Sequence, residues 1–373
     1  MAAKIAESIS FLFIFLLCSF QLAVSSNEPQ LSFTDWCKLH SKSYRTITEA
    51  KERESVYKSN ADLVQQLNNE YRERNVTFSL NHFADLSIEE FKKLVLMSPQ
   101  KPQPLPKQRY HSFSLPQDPP NTFDWRDKHV VTSVKNQGSA GTCWAFSTVG
   151  NVEGQWALGG HNLTSLSTEQ LVDCDDTYDH NNLHMDCGVF GGWPYLAYEY
   201  IKNEGGIERE EDYPYCSGQG TCFPCVPSGW NKTRCGPPPL YCNDTFSCTH
   251  KLDKSKFVQG LSIKSWIAIQ KDEVEMQAAL IKQGPLSVLI NALLLQFYRS
   301  GVWDPILKCN PQELDHAVLL VGYGTEKGLL EDKPYWLIKN SWGIKWGMDG
   351  YFKMIRGKGK CGVDQQVTSA VLQ

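Results

Sequence analysis

The sequence predicts an α+β fold, with helical patterns early in the chain and strand patterns late. Apolar residues recur at steps of three and four in the first half, which is typical of helices packed on one face. Short apolar runs bounded by Gly or Pro follow in the second half, at Leu286–Ile290 and Ala317–Val321, and are typical of buried strands. The 373 residues suffice for a sizeable core and for two or three domains.

Composition excludes some partners and indicates a compartment. The formal net charge is −4, and no long basic run is present, so neither nucleic acid nor an anionic membrane surface is an expected partner. Thirteen cysteines without metal-site spacing indicate an oxidising compartment.

The N-terminus predicts a cleaved signal peptide over residues 1–25. Lys4 precedes the apolar run Ile9–Phe20, and small residues follow at 23–26. A membrane anchor is the alternative, but the run is shorter than the ~20 residues that a spanning helix needs. Four Asn-x-Thr sequons fit passage through a secretory pathway: Asn75, Asn162, Asn231 and Asn243.

A long helix is predicted next. Its face is marked by residues at steps of 4, 4, 3, 4 and 4, namely Glu49, Arg53, Tyr57, Asn60, Val64 and Asn68. By pattern alone, this is an ordinary surface helix with a mixed polar stripe. The motif Asn81-His82-Phe83-Ala84-Asp85 follows, and then the Pro-rich stretch Pro99–Pro120, which predicts an extended linker.

A single cysteine stands at the head of the next predicted helix. Cys143 follows the Gly-containing stretch Gln137–Thr142, and apolar residues recur from Ala145 to Trp156 until Gly159-Gly160 ends the run. The unpaired amides of the first turn and the helix dipole favour an anion, so we expect a lowered thiol pKa. A buried, inert thiol is the alternative interpretation.

Two further residues suit a nucleophilic thiol. His316 heads an apolar strand pattern, and Asn340 precedes the tryptophan pair Trp342 and Trp346. A thiolate needs a base, and the base needs an acceptor that orients it. Alone, such a histidine is more often a core residue, and Asn before Ser is a common turn starter.

Together these motifs resemble those of papain-like cysteine peptidases, and the spaced residues from Glu49 to Asn68 and the motif Asn81–Asp85 resemble the inhibitory pro-regions of their cathepsin-L-like members. Tyr57, Val64 and Ser79 depart mildly from the pro-region motifs, and Ala140 stands where the family has a cysteine. The resemblance implies a two-lobe fold, with a helical left lobe around the Cys143 helix and a β-rich right lobe. It further implies a propeptide with its linker at 26–117 and a peptidase domain at 118–373.

The resemblance also implies site roles. His316 takes the proton of Cys143 and later protonates the leaving amine, Asn340 fixes the imidazole, and Gln137 binds the oxyanion together with the N–H of Cys143. Implied substrate-binding residues, of which Trp342 also shields the His–Asn bond, are Gly191, Gly192, Leu289, Ala317, Trp342 and Gln366. The pocket of Leu289, Ala317 and Gln366 should prefer medium aliphatic side chains.

An insert is predicted at about residues 223–250. His316 lies 316 − 143 = 173 residues after the nucleophile, against about 130–150 for the family. The insert is Pro-rich and contains Cys225, Cys235, Cys242 and Cys248, which indicates a disulfide-stapled excursion. Zinc binding by Cys222-x-x-Cys225 is the rival interpretation, but the secreted compartment and the lack of Cys–His pairing argue against it.

The disulfides follow from the resemblance. It supports Cys174–Cys222 and Cys309–Cys361, while the four insert cysteines would close among themselves and Cys187–Cys216 would remain. A disulfide usual in the family is replaced here by Ala140 and Val189.

We therefore expect a cysteine endopeptidase made as a self-inhibited zymogen. The alternatives are a non-catalytic binding protein on the same fold, and a carboxydipeptidase if the insert blocks the cleft, although residues 216–248 contain no histidine. Protein and peptide substrates, the chain's own propeptide and cystatin-like inhibitors are the implied partners of a monomer. Neither a cofactor nor a metal is expected, and a lysosome, a vacuole or the extracellular space is the expected destination.

Overall fold

The computed structural model describes residues 31–222, 229–236, 248–306, 309–328 and 331–373. The chain forms two compact units, residues 1–43 and residues 44–373. The first contains helix α1 (Phe33–Leu39), which is capped by the Ser32 hydroxyl accepting from the N–H of Asp35. The predicted signal peptide lies outside the described residues, and within them no helix has the length and apolar character needed to cross a membrane.

The second unit holds the other elements. In chain order they are α2 (Ile47–Glu70), β1 (Thr77–Phe78), α3 (Ile88–Leu94), β2 (Tyr110–His111), β3 (Phe123–Asp124), α4 (Cys143–Leu158), α5 (Thr168–Cys174), β4 (Tyr178–Asp179), β5 (His184–Met185), α6 (Pro194–Glu204), α7 (Lys232–Cys235), α8 (Cys248–Lys251), β6 (Ile263–Ile269), α9 (Glu273–Gln283), β7 (Leu286–Ile290), β8 (Tyr298–Ser300), β9 (Val302–Trp303), β10 (His316–Glu326), β11 (Lys333–Lys339), β12 (Tyr351–Ile355) and β13 (Val367–Leu372).

The predicted long helix is α2, and its marked face binds the following segment. Tyr57, Asn60 and Val64 are buried. The side-chain amide of Asn60 donates to the carbonyls of Ala84 and Leu86, both at 2.9 Å. The buried face of α2 therefore fixes the position of the segment that precedes α3.

The main sheet has the strand order β2-β6-β13-β7-β10-β11-β12-β9, with β3 also pairing with β10. The predicted strands are confirmed as β7 and β10, which pair antiparallel with Ala317 opposite Leu289. The stretch expected to be an extended linker contains strand β2, in which Tyr110 and His111 pair in parallel with β6.

Helix α4 is the predicted helix that begins at Cys143, and Gly159 caps its C-terminus. It packs against β7, β10 and β13 and against α5 and α6. Gly150 permits close packing, since a Cβ there would lie 3.0 Å from the Leu319 side chain. The Ser147 hydroxyl donates to the carbonyl of Val318 at 2.8 Å. These contacts bring the start of α4 to the start of β10.

One predicted disulfide is confirmed and the others are wrong. Cys309–Cys361 is present. The remaining observed pairs are Cys174–Cys248, Cys187–Cys235 and Cys216–Cys222, with Cα–Cα distances of 5.1, 5.3 and 5.3 Å. Such distances suit a disulfide, and the path of the insert decides which cysteines reach them. Cys222 is thus not available to zinc, and two insert cysteines attach the insert to the preceding chain; Cys225 and Cys242 lie outside the described residues.

Candidate active site

Cys143 is fully buried at the N-terminus of α4. Its Sγ accepts the N–H of Ala317 at 3.4 Å, so the thiol lies beside the residue that follows His316. Burial raises the pKa of the Cys143 thiol to about 12, and this outweighs the lowering by the amides of Ala317, Trp144 and Cys143. The expected lowering of the thiol pKa is therefore wrong for this state of the protein, although the amides act in the predicted direction.

His316 is held by Asn340. Its Nε2 lies 2.7 Å from the Asn340 side-chain oxygen, which can only accept, so Nε2 carries the proton and Nδ1 is the basic atom. Nδ1 is buried and has no hydrogen-bond partner among the described residues. Burial lowers the pKa of His316 to about 4, although the bond to Asn340 raises it. The imidazole and the thiol are thus both neutral here.

Trp342 covers the His316–Asn340 pair. Its ring stacks on the imidazole with 4.7 Å between centroids. Phe83 and Phe91, from the segment around α3, meet the same indole edge-on at 5.7 and 5.2 Å. The tryptophan therefore lies where the shielding role requires it, and it is also where the N-terminal region docks.

Gln137 is oriented by a residue that the sequence analysis missed. The Ser341 hydroxyl donates to its side-chain oxygen at 2.6 Å, so the amide nitrogen faces the other way. That nitrogen donates to the carbonyls of Val95 at 2.8 Å and of Ala140 at 2.7 Å. The expected oxyanion donor is thus already bound to a carbonyl of the N-terminal region. The sequence signal for this role of Ser341 is its position directly after Asn340.

The segment Val95–Gln100 crosses the site, turning out of α3 at Val95 and continuing from Met97 without helical structure. Its backbone bonds run to both sides: Met97 N–H to Asp315 O at 3.0 Å, Ser98 N–H to Phe190 O at 3.3 Å, and Gln100 with Leu314 in both directions at 2.7 and 2.8 Å. This is how a cleft binds an extended chain through its main-chain groups.

The predicted pocket residues lie together, with Leu289 on β7, Ala317 on the paired strand β10, and Gln366 directly before β13. Leu289 is opposite Ala317, and its N–H donates to the carbonyl of Gln366 at 3.2 Å. All three are buried. Met97 belongs to the same buried apolar cluster as Leu289 and Ala317, and the Gln366 amide donates to the carbonyl of Gln103 at 2.6 Å. The N-terminal region therefore contacts this pocket at Gln366 through the carbonyl of Gln103.

The two predicted backbone glycines differ in what they contact. A Cβ on Gly191, whose φ is +130°, would lie 2.7 Å from Cβ of Met97, so glycine admits the crossing peptide. A Cβ on Gly192 would lie 2.5 Å from the Trp144 ring and 2.6 Å from a carboxylate oxygen of Asp186. Gly192 is therefore required by internal packing, which the sequence analysis did not anticipate.

A buried acid pair supports this glycine turn. Asp186 accepts the N–H of Trp193 at 2.6 Å. Burial raises the pKa of Asp175 to about 6 and that of Asp186 well above its ordinary value, and each carboxyl is a hydrogen-bond partner of the other. One proton shared by the pair avoids two adjacent buried charges. The sequence showed only two scattered acids.

Two family descriptions match the chain. The one for "Papain family cysteine protease" matches residues 119–371, and the one for "Cathepsin propeptide inhibitor domain" matches residues 33–91. The first match contains the site residues, and the second ends shortly before Val95, where the segment that crosses the site begins.

Similar proteins cover nearly the same extent. Cysteine proteinase 15A of Pisum sativum is 40% identical over 90% of this chain and 85% of its own length. Cathepsin F of Mus musculus is 36% identical over 91% of this chain and 64% of its own length. The solved structure of digestive procathepsin L 3 from Tenebrio molitor larval midgut has a TM-score of 0.71 at 30% identity, with 91% of this chain and 97% of that chain covered.

Proposed function

This chain belongs to the papain family of cysteine proteases and carries the family's inhibitory propeptide, and from that premise we propose that it is an endopeptidase zymogen in which Cys143 is the nucleophile and His316 the base. One observation carries the assignment of roles. The Cys143 sulfur lies 3.4 Å from the N–H of Ala317, directly after a histidine whose Nε2 is bound to Asn340 and whose Nδ1 is unpartnered among the described residues.

The chemistry follows from these positions. Nδ1 of His316 takes the thiol proton, and the Cys143 thiolate attacks the carbonyl carbon of the scissile bond. The side-chain amide of Gln137 and the N–H of Cys143 stabilise the negative oxygen that forms. His316 then protonates the leaving amine, and water hydrolyses the thioester to free the acid and restore the thiol.

The pro-region inhibits by occupying these groups. Val95 places its carbonyl on the Gln137 amide, and Met97 bonds to the backbone of Asp315. With the site closed, burial favours the uncharged thiol and the uncharged imidazole, so the reactive ion pair is absent. Removing the segment readmits water, which favours the charged pair.

We place the boundary between the propeptide with its linker (26–117) and the peptidase domain (118–373) near Gln117. Residues 116–118 are exposed, so a processing protease can reach them. The destination follows from the signal peptide and the sequons, and is a lysosome, a vacuole or the extracellular space. Own propeptide, protein and peptide substrates, and cystatin-like inhibitors are the proposed partners.

The test is hydrolysis of peptide libraries by the processed protein. Cys143→Ala should abolish turnover while leaving the melting temperature nearly unchanged, and His316→Ala should be comparably inactive. Normal turnover in either variant would refute the assignment, and an inactive parent that binds peptides would favour a non-catalytic protein. Peptides with free and blocked C-termini separate the remaining options, because an endopeptidase cleaves both and a carboxydipeptidase requires the free carboxylate.

A further inference from the structure

An aromatic surface borders the cleft beside Gly191, and half of it comes from the insert. The rings of Phe190 and Trp230 lie 6.1 Å apart in a tilted arrangement, within the range of interacting aromatic pairs. The side chain of Phe190 is 39% exposed, and Trp230 is half-buried.

Covalent and polar contacts fix Trp230 in this place. The disulfide Cys187–Cys235 attaches its segment to the residue just before the turn Gly188–Phe190. The indole N–H donates to the carbonyl of Gly236 at 3.1 Å. A Cβ on Gly188 would lie 3.9 Å from the ring, so the indole packs directly on the turn that carries Phe190. The surface is therefore held by the body of the protein.

The crossing peptide shows which substrate residue would reach this surface. Val95 contacts the expected oxyanion donor Gln137, and the residues after it lead away from the reacting groups, with Ser98 donating its N–H to the carbonyl of Phe190 at 3.3 Å. The pro-region therefore runs opposite to a substrate, in which the residues at these places precede the scissile bond. Ser98 is exposed, and it offers no apolar side chain. The pro-region thus passes this surface without covering it.

We propose that Phe190 and Trp230 form a binding subsite for the third substrate residue before the scissile bond, next to the pocket of Leu289, Ala317 and Gln366, which by the family resemblance receives the second. The subsite takes an aromatic or large aliphatic side chain. This inference rests on the proposed function, and it gives the insert a part in substrate selection. The reason is physical: a large apolar side chain buries area on both rings, whereas glycine or serine buries almost none.

A basic alternative lies on the same segment. Lys232 and Arg234 follow Trp230 on α7, and both are exposed. If they faced the bound peptide, the subsite would select an acidic residue instead. Lys232→Ala is therefore a matched control, since it changes α7, which follows Trp230, and leaves both aromatic rings in place.

The experiment compares processed parent, Trp230→Ala, Phe190→Ala and Lys232→Ala on blocked tetrapeptide substrates. The substrates differ only at the third position before the scissile bond, which is Phe, Leu, Gly or Asp. We expect the parent to favour Phe over Gly about tenfold in kcat/KM, as an aromatic contact plus its buried area allows. Both ring truncations should reduce that ratio to about twofold by lowering kcat/KM for the Phe substrate, and Lys232→Ala should retain it.

The outcomes separate the two proposals. An active parent without a preference for Phe, or ring variants that keep the preference, would overturn the subsite and leave the protease assignment intact. A preference for Asp that Lys232→Ala removes would overturn it in favour of the basic face. A parent that cleaves none of the four, with Cys143 shown to be unmodified, would refute the proposed function itself. The melting temperature of each variant, compared with that of the parent, reports that it is folded.

Discussion

Truncating Phe91 should release the pro-region from the active site. Phe91 is fully buried and meets both Phe83 and Trp342 edge-on, each at 5.2 Å. Replacing a buried Phe with Ala costs about 3–5 kcal/mol. One of these two contacts lies within the pro-region and the other crosses to the peptidase part, so we assign about 2 kcal/mol to docking. That corresponds to roughly 30-fold weaker inhibition.

The assay adds residues 26–117 in trans to the processed enzyme and measures the inhibition constant from peptide hydrolysis. Leu94→Ala is the matched control, because Leu94 lies on the same short helix and is 37% exposed. It should change inhibition less than threefold. Circular dichroism of each segment checks that helix content is retained. An inhibition constant for Phe91→Ala that equals that of Leu94→Ala would refute the view that the Trp342 contact anchors the pro-region.

Three further predictions concern pH and orientation. Burial raises the pKa of Glu90, but hydrogen bonds from Ser87 and Arg53 outweigh it, so the net pKa is lowered and the stabilisation it contributes is lost as pH falls below about 4.5; Glu90→Gln should make inhibition by the pro-region less dependent on pH below about 4.5. Ser341→Ala frees the Gln137 amide to rotate and should lower kcat about tenfold with KM little changed, as measured by steady-state kinetics. Asp175 contributes stability that is fully present below pH 3.8 and is lost as pH rises through about 6. Asp186→Asn removes the acid that shares a proton with Asp175, so this variant should show a smaller difference in melting temperature between pH 4 and pH 7.

Local signals explain what could be predicted from the sequence. Helix α4 is set by its apolar period and by Gly159, and the α2 stripe by residues within one helix. The association of Cys143 with His316 is different, because these residues lie 316 − 143 = 173 positions apart. Packing of α4 on β10 brings these two residues together, and in the sequence only the resemblance to a known family predicted their proximity.

Long-range placement explains the misses. The thiol pKa was expected to fall because the helix amides act locally, but burial of the thiol among residues distant in sequence raises it. The pairing of Cys174 with Cys248 depends on the path of the insert, which composition does not reveal. The hydrogen bond from Ser341 to Gln137 joins side chains 204 positions apart and leaves no periodic trace.

The most direct test of the central claim is the reactivity of Cys143 before and after processing. Iodoacetamide is added to zymogen and processed protein at pH 5.5, and alkylation of the Cys143 peptide is followed by mass spectrometry alongside peptide hydrolysis. We predict that Cys143 is unreactive in the zymogen, because the buried thiol is neutral, and that after processing it is alkylated once per molecule in step with loss of activity. Equal alkylation rates in the two forms, or activity that survives complete alkylation of Cys143, would contradict the account.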